Sequence, residues 1–273
     1  IIEGEEEWGG PFADYPRTYP EVFAADAIVV ADVGNARLGE PTFTTALRGM
    51  AAVSVECRTL AGAVHSGMFG GPAPDALMAL IGLLATLRDA DGETAIEGIS
   101  GFDWDGADFD EADFRDLAGV DPDQPLIGQG SIASRLFSKP VVNVVGIDAP
   151  PTAGAVNAVI PYAKARVSLR VPPGLDALAA RDALVRHLET HAPWGVQVNV
   201  TPDVVGQGVR VDTSGPAYAA AREAMLQAYG RSAQDIGAGG SIPLVDSLMA
   251  AVPDAEILLF GAQDPLARIH APN

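Results

Sequence analysis

Met50-Ala51-Ala52-Val53-Ser54-Val55-Glu56-Cys57-Arg58-Thr59 alternates apolar with polar side chains, the pattern of a strand with one face in a core and the other toward water. Its partners follow on either side. Asp75 to Arg88 repeats Leu and Ala at helical spacing behind Pro74, with Asp75 placed to cap the first turn. Residues 140–148 and 161–171 predict two more strands. Leu175 to His191 predicts a helix with Leu178, Leu184 and Leu188 near one face, and Val196 to Val204 a last strand. The order β-α-β-β-α-β is that of a ferredoxin-like unit, expected over 47–212. Gly92 to Gly130 interrupts it with few helical signals and eight aspartates from Asp103 to Asp123, so this stretch is expected to be a solvated, disordered or loosely packed excursion.

The flanking segments have another pattern. Ala24 to Asp32 is an apolar run closed by an acid, which predicts a buried parallel strand with Asp32 at its C-terminal end, where open α/β sheets place their ligands. After Ser214 come a helix over 216–229, the glycine-rich segment Gly237-Ala238-Gly239-Gly240-Ser241-Ile242-Pro243, and a strand from Ala255 to Phe260 that leads toward His270. The expected organisation is one domain inserted in another: 1–46 with 213–273 as an α/β domain, and 47–212 as an α+β insertion. There is no internal repeat.

The 273 residues carry 17 basic and 36 acidic side chains, net −19, which repels nucleic acid and anionic membrane surfaces; neither is expected as a partner. No apolar run reaches the roughly 18 residues of a membrane span. A single cysteine, Cys57, excludes an intrachain disulfide framework and fits a reducing, cytoplasmic compartment. Ile1 reads as mid-strand, so the native N-terminus is expected upstream of it.

The chemistry starts at Ile1-Ile2-Glu3-Gly4-Glu5-Glu6-Glu7-Trp8-Gly9-Gly10. Adjacent carboxylates repel, and burying both is costly unless a cation compensates. A divalent metal makes the pair useful, with one acid binding it and the other taking a proton from water. Taken singly, Glu6 and Glu7 also read as a solvated acidic loop, Asp32 as a cap or turn residue, and His270 as a surface histidine. His187 and His191 share a helix at i, i+4, a spacing that can bind metal, but at a helix C-terminus they read as cations stabilised by the dipole.

Six segments occur in one order: Glu3 to Gly10, Ala31-Asp32, Leu47-Arg48-Gly49, His65-Ser66-Gly67-Met68-Phe69-Gly70-Gly71, Gly239-Gly240-Ser241-Ile242-Pro243, and His270-Ala271-Pro272-Asn273. In that order and approximate spacing the chain resembles, over nearly its whole length, the metal-dependent dipeptidases and deacylases that include carnosinase, aminoacylase and carboxypeptidase G. The resemblance implies a zinc-peptidase-like catalytic domain, partial here, interrupted by a ferredoxin-like lid and dimerisation domain. It implies Glu6 as general base toward a metal-bridging water, Glu7 and His270 as ligands of one metal, and Asp32 as ligand of the other. Two divalent ions are implied, zinc first, with manganese or cobalt as alternatives. A homodimer is implied too, in which His65 reaches the partner subunit's active site and steadies the oxyanion.

Toward the substrate, Asn157 in Asn157-Ala158-Val159-Ile160-Pro161 matches an asparagine that contacts substrate, and reads equally as a turn residue before a strand. Gly239, Gly240 and Ser241 resemble the loop that lets backbone amides approach the substrate carboxylate. Several relatives carry an arginine two residues before that glycine pair. Here the position is Gly237, and Arg170 is the candidate substitute. The family's His-x-Asp metal motif and bridging aspartate precede the glutamate pair and are not in this chain. The expectation is an incompletely represented metallohydrolase that cleaves an amide bond in a dipeptide or small peptide. An N-acyl amino acid deacylase and a non-catalytic dimerisation module are the competing readings.

Overall fold

The computed structural model describes residues 11–263. In chain order its elements are α1 (Tyr15–Thr18), β1 (Ala27–Val30), β2 (Thr42–Leu47), β3 (Gly49–Arg58), β4 (Val64–His65), α2 (Ser66–Phe69), α3 (Ala76–Ala85), α4 (Glu111–Ala118), β5 (Val141–Asp148), β6 (Ala158–Val159), β7 (Tyr162–Val171), α5 (Ala177–Thr190), β8 (Val198–Gly206), β9 (Val209–Arg210), α6 (Pro216–Tyr229), β10 (Gln234–Ala238), α7 (Pro243–Ala251) and β11 (Glu256–Leu259).

The alternation of residues 50–59 becomes β3, a central strand of an antiparallel sheet ordered β5-β7-β3-β8. This is the ferredoxin-like order. Ala51, Val53, Val55 and Cys57 face a core closed by Leu80 and Leu83 of α3 and Leu184 and Leu188 of α5. The opposite face is polar: Glu56 and Lys164 lie directly across β3 and β7 and pair at 3.1 Å. Asp75 caps α3 as expected, its Oδ1 accepting from Met78 N at 2.9 Å, and Asp176 caps α5 in the same way.

A second core lies under another group of strands. β2 is buried at every position and pairs in parallel with β10, while β1 pairs in parallel with β11. Phe43, Leu47, Tyr218, Val245, Leu248 and Leu259 fill the space between these strands and helices α6 and α7. The N-terminus of α6 has no local side-chain cap; Glu256 of β11 supplies one, accepting from Ala217 N at 2.9 Å and Tyr218 N at 3.0 Å. The chain crosses between the two groups of strands twice, at Arg48 and at Gln207-Gly208. The crossings touch backbone to backbone: a β-carbon on Gly49 would lie 2.8 Å from Gly208 N.

Two expectations need correction. Gly92 to Gly130 is not a loose excursion: Ile96 and Ile99 are buried in the first core, and α4 forms behind the Asp110 cap. Trp104 and Phe109 pack on Phe137 in a small core with Ile236. Its many aspartates cap turns and pair with arginines, so the charge that reads as solvating is structural. Secondly, the run 24–32 forms only a four-residue strand, whose side chains are alternately exposed and half-buried. The buried parallel strand is β2, whose three threonines hide its apolar character from a periodicity reading. Of the glycine-rich segment, Gly237 and Ala238 form the end of β10. Among the described residues no helix is long and apolar enough to cross a membrane.

Candidate functional site

Asp32 stands two residues beyond the C-terminal end of β1, exposed, and its carboxylate makes no hydrogen bond or ion pair among the described residues. The parallel pairing does not stop there. Gly34 bridges Gln263, Asn35 N donates to Gln263 O at 2.7 Å, and Asn35 Nδ2 donates to Gly261 O at 3.1 Å. Gly261 is glycine by necessity, since a β-carbon there would overlap the Val33 carbonyl oxygen and lie 2.7 Å from Ala31 O. The Asp32 loop is thereby clamped on the extension of β11, the strand that heads toward His270. Glu6, Glu7 and His270 lie outside the described residues.

His65 ends β4, and its exposed ring caps α2: Nδ1 accepts from Gly67 N at 3.1 Å. An accepting Nδ1 carries no proton, so in the neutral ring the proton is on Nε2, which is left as a donor. Gly67 makes room for this, because a β-carbon there would come within 2.9 Å of His65 Cε1. The structure brings Asn157 to the same place. β4 pairs with β6, with His65 opposite Ala158, and Ser66 N donates to Asn157 O at 3.0 Å. Asp75 anchors that segment through Ile160 N at 2.6 Å. The Asn157 side chain is exposed.

Arg170 is the penultimate residue of β7, opposite Met50 and Val141. A side chain on Gly237 would meet the Phe137 Cβ and Cγ at 2.5 Å. Gly239, Gly240 and Ser241 follow β10 directly and lead into α7, whose first turn has no side-chain cap. A β-carbon on Gly240 would meet nothing within 4 Å, so the loop is open there.

The residue missed from sequence is Arg48. It is buried, 8% exposed, and burial, with Arg170 adding to it, pulls its guanidinium down to about 10. Only the segment match of Leu47-Arg48-Gly49 marked it. His187 also departs from expectation: it is buried against Thr86 at 2.9 Å and stacked on His191, and burial pushes its pKa down, which disfavours the dipole-stabilised cation. Cys57 is buried in the sheet, and burial raises its thiol pKa. A cavity of about 640 Å³ opens at the N-terminal ends of β2 and β10, by Thr42 and Gln234. That is the opposite end of the strand pair from the glycine loop, and it holds none of the candidate residues.

Among the described residues no three His, Cys, Asp or Glu side chains gather as a metal site. Asp32 alone of the candidate ligands falls within them. Its carboxylate, which has no partner among the described residues, is of a type that suits a hard or borderline cation.

The fold is thus an antiparallel four-stranded sheet with two helices on one face, entered from and returned to parallel strand pairs. Residues 45–196 match the M20 peptidase dimerisation domain, and the chain belongs to that family. The cysteinylglycine-S-conjugate dipeptidase of Corynebacterium striatum is 38% identical over 276 residues, covering 99% of this chain and 61% of that protein. Among solved structures, the dipeptidase Dug1p of Saccharomyces cerevisiae superposes with a TM-score of 0.77 at 20% identity, over 95% of this chain and 57% of that one. Human carnosine dipeptidase 1 gives 0.76 at 22%, over 97% and 58%. At these identities the structural likeness is one of fold. The chain spans about three fifths of the length of the relatives it matches.

Proposed function

We propose that this chain forms part of a metal-dependent dipeptidase, a hydrolase that cleaves the amide bond of a dipeptide bearing a free carboxylate. The observation that carries this reading is the clamp between the Asp32 loop and the extension of β11, at which the exposed Asp32 carboxylate makes no hydrogen bond or ion pair among the described residues. The 38% identity to a dipeptidase over 99% of the chain supports it. Residues 1–46 with 213–273 would be the catalytic unit, and 47–212 the lid through which two copies associate.

In this reading Glu7 and His270 hold one divalent ion and Asp32 the other, with zinc the expected metal. Two such ions, when bound, would supply Lewis acidity at the scissile carbonyl and would acidify the attacking water. Glu6 accepts the proton of the attacking water and passes it to the leaving amine. His65 of the partner subunit donates from Nε2 to the developing oxyanion, the tautomer that its Nδ1 contact favours. Asn157, held next to His65 on the β4–β6 ribbon, reaches the same substrate face. The Gly239-Gly240-Ser241 loop and Arg170 receive the carboxylate end.

The test is hydrolysis by the metal-loaded, full-length protein of S-substituted cysteinylglycine and of other free-amine dipeptides, set against N-acetyl amino acids. The dipeptides are expected to be the better substrates, with activity abolished by a chelator. Preference for the N-acetyl compounds would replace this reading with the deacylase.

A further inference from the structure

His65 and Asn157 sit on a ribbon too small to hold itself. β4 and β6 pair over two residues each, Val64 with Val159 and His65 with Ala158, and the His65 and Asn157 side chains are both exposed. An isolated two-stranded ladder is marginal in water, so this ribbon takes its position from what it is fastened to. The position matters for a donor to an oxyanion, because a misplacement of about 1 Å can cost on the order of 10²-fold in rate.

The fastening is made at one residue. Ile160 directly follows β6, and the start of α3 takes both of its backbone polar groups. Its N–H donates to Asp75 Oδ2 at 2.6 Å, and its carbonyl accepts from Ala76 N at 2.8 Å. Asp75 thus divides its carboxylate: Oδ1 caps α3 through Met78 N at 2.9 Å, while Oδ2 holds the ribbon. Among the described residues no other side chain hydrogen-bonds the backbone from Val156 to Pro161. Behind Asp75, Ala76, Leu80 and Leu83 seat α3 in the first core, so the ribbon is tied to a fixed element. Capping alone does not call for a carboxylate, since serine and asparagine cap a helix about as well. Serine, however, has a single oxygen, and the second group of asparagine is an NH₂ donor that would face the Ile160 N–H.

We infer that Asp75 is a positioning residue, whose divided carboxylate locks the β4–β6 ribbon to α3 and so sets where His65 and Asn157 meet the substrate. The inference rests on the hydrolase reading above and adds to it a residue that touches neither metal nor substrate. Asp75 acts on turnover only through the ribbon, and through His65 above all.

The test is a double-mutant cycle on the metal-loaded, full-length protein with a dipeptide substrate. Asp75→Asn keeps the α3 cap and loses the hold on Ile160, so its melting temperature should stay close to that of the wild type while kcat falls about 10- to 100-fold. In a His65→Ala background the same substitution should cost much less, because the group it positions is already gone. An unchanged kcat in Asp75→Asn, or an equal loss in both backgrounds, would overturn the assignment. Hydrogen exchange of the wild-type protein gives a reading that needs no variant to fold: the Ile160 amide should be protected as well as that of Met78, and fast exchange at Ile160 alone would sink the inference. If the wild-type protein hydrolyses no dipeptide, the hydrolase reading fails, and the hold of Asp75 on the ribbon is judged by exchange alone. Protection at Ile160 that is lost in Asp75→Asn then supports it, and protection that persists overturns it.

Discussion

The Phe137 ring occupies the space into which any side chain at residue 237 would have to grow, with its Cβ and Cγ 2.5 Å from where a β-carbon on Gly237 would sit. Gly237 lies at a bulge in the β2–β10 ladder, and Phe137 belongs to the segment that the ferredoxin-like insertion carries against that ladder. An arginine at residue 237 is therefore excluded by packing. Replacing a strand glycine usually gains about 0.5–1 kcal/mol from backbone entropy, but overpacking costs about 1–3 kcal/mol. Gly237→Ala is expected to be net destabilising in urea denaturation. Adding Phe137→Ala should relieve part of the loss, giving a coupling energy between the two sites; strict additivity would show that the contact does not matter.

Glu6 and Glu7 should be separable by substitution. Glu6→Gln keeps size while removing the proton acceptor, so metal content persists while turnover falls by about 10²–10⁴-fold. Glu7→Gln replaces a charged ligand with a neutral one, so metal content falls and added metal partly restores activity. Metal analysis beside kcat for each variant checks this. The reverse pattern would mean that the register of the acidic run is off by one.

If His65 serves the partner's site, two inactive proteins should complement each other. His65→Ala and Glu6→Gln subunits, unfolded and refolded together, would form mixed dimers in which one site has both groups intact. Activity is expected to rise above that of either variant alone. Its failure to rise, with mixed dimers confirmed by native mass spectrometry, would place His65 in its own subunit's chemistry or in none.

Buried His187 should make stability depend on pH. Its folded pKa is lowered by burial first and by the His191 charge second. As pH falls below about 6.5, the unfolded chain takes up a proton that the folded His187 resists. The contribution to stability is therefore complete above that value and is lost as pH falls through the folded pKa. His187→Gln should show a shallower drop in melting temperature between neutral and mildly acidic pH than the wild type. Parallel curves would argue against it.

The Glu256 carboxylate, shared between β11 and the first turn of α6, should be worth about 1–2 kcal/mol, in the range of a good N-terminal cap. Glu256→Ala leaves two backbone N–H groups without their partner. Denaturant titration should show the loss in midpoint without a change in slope.

The sequence by itself determined what is local. The period-two pattern of residues 50–59, the helical spacing behind Asp75 and Asp176, and the order of strands and helices between them define the antiparallel insertion, because each depends on neighbours a few residues away. Asp32, His65, Asn157 and the glycine loop were legible as candidates through ordered motifs, but not as neighbours. The pairing of His65 with the Asn157 segment, the clamp of the Asp32 loop on Gly261 and Gln263, and the burial of Arg48 under Gly239 were decided only by tertiary structure. The same is true of β2, and of the aspartate-rich stretch that packs through Trp104 and Phe109. These contacts join residues far apart in the chain, and their causes are steric fit and the satisfaction of buried polar groups. Neither leaves a period in the sequence from which it can be read.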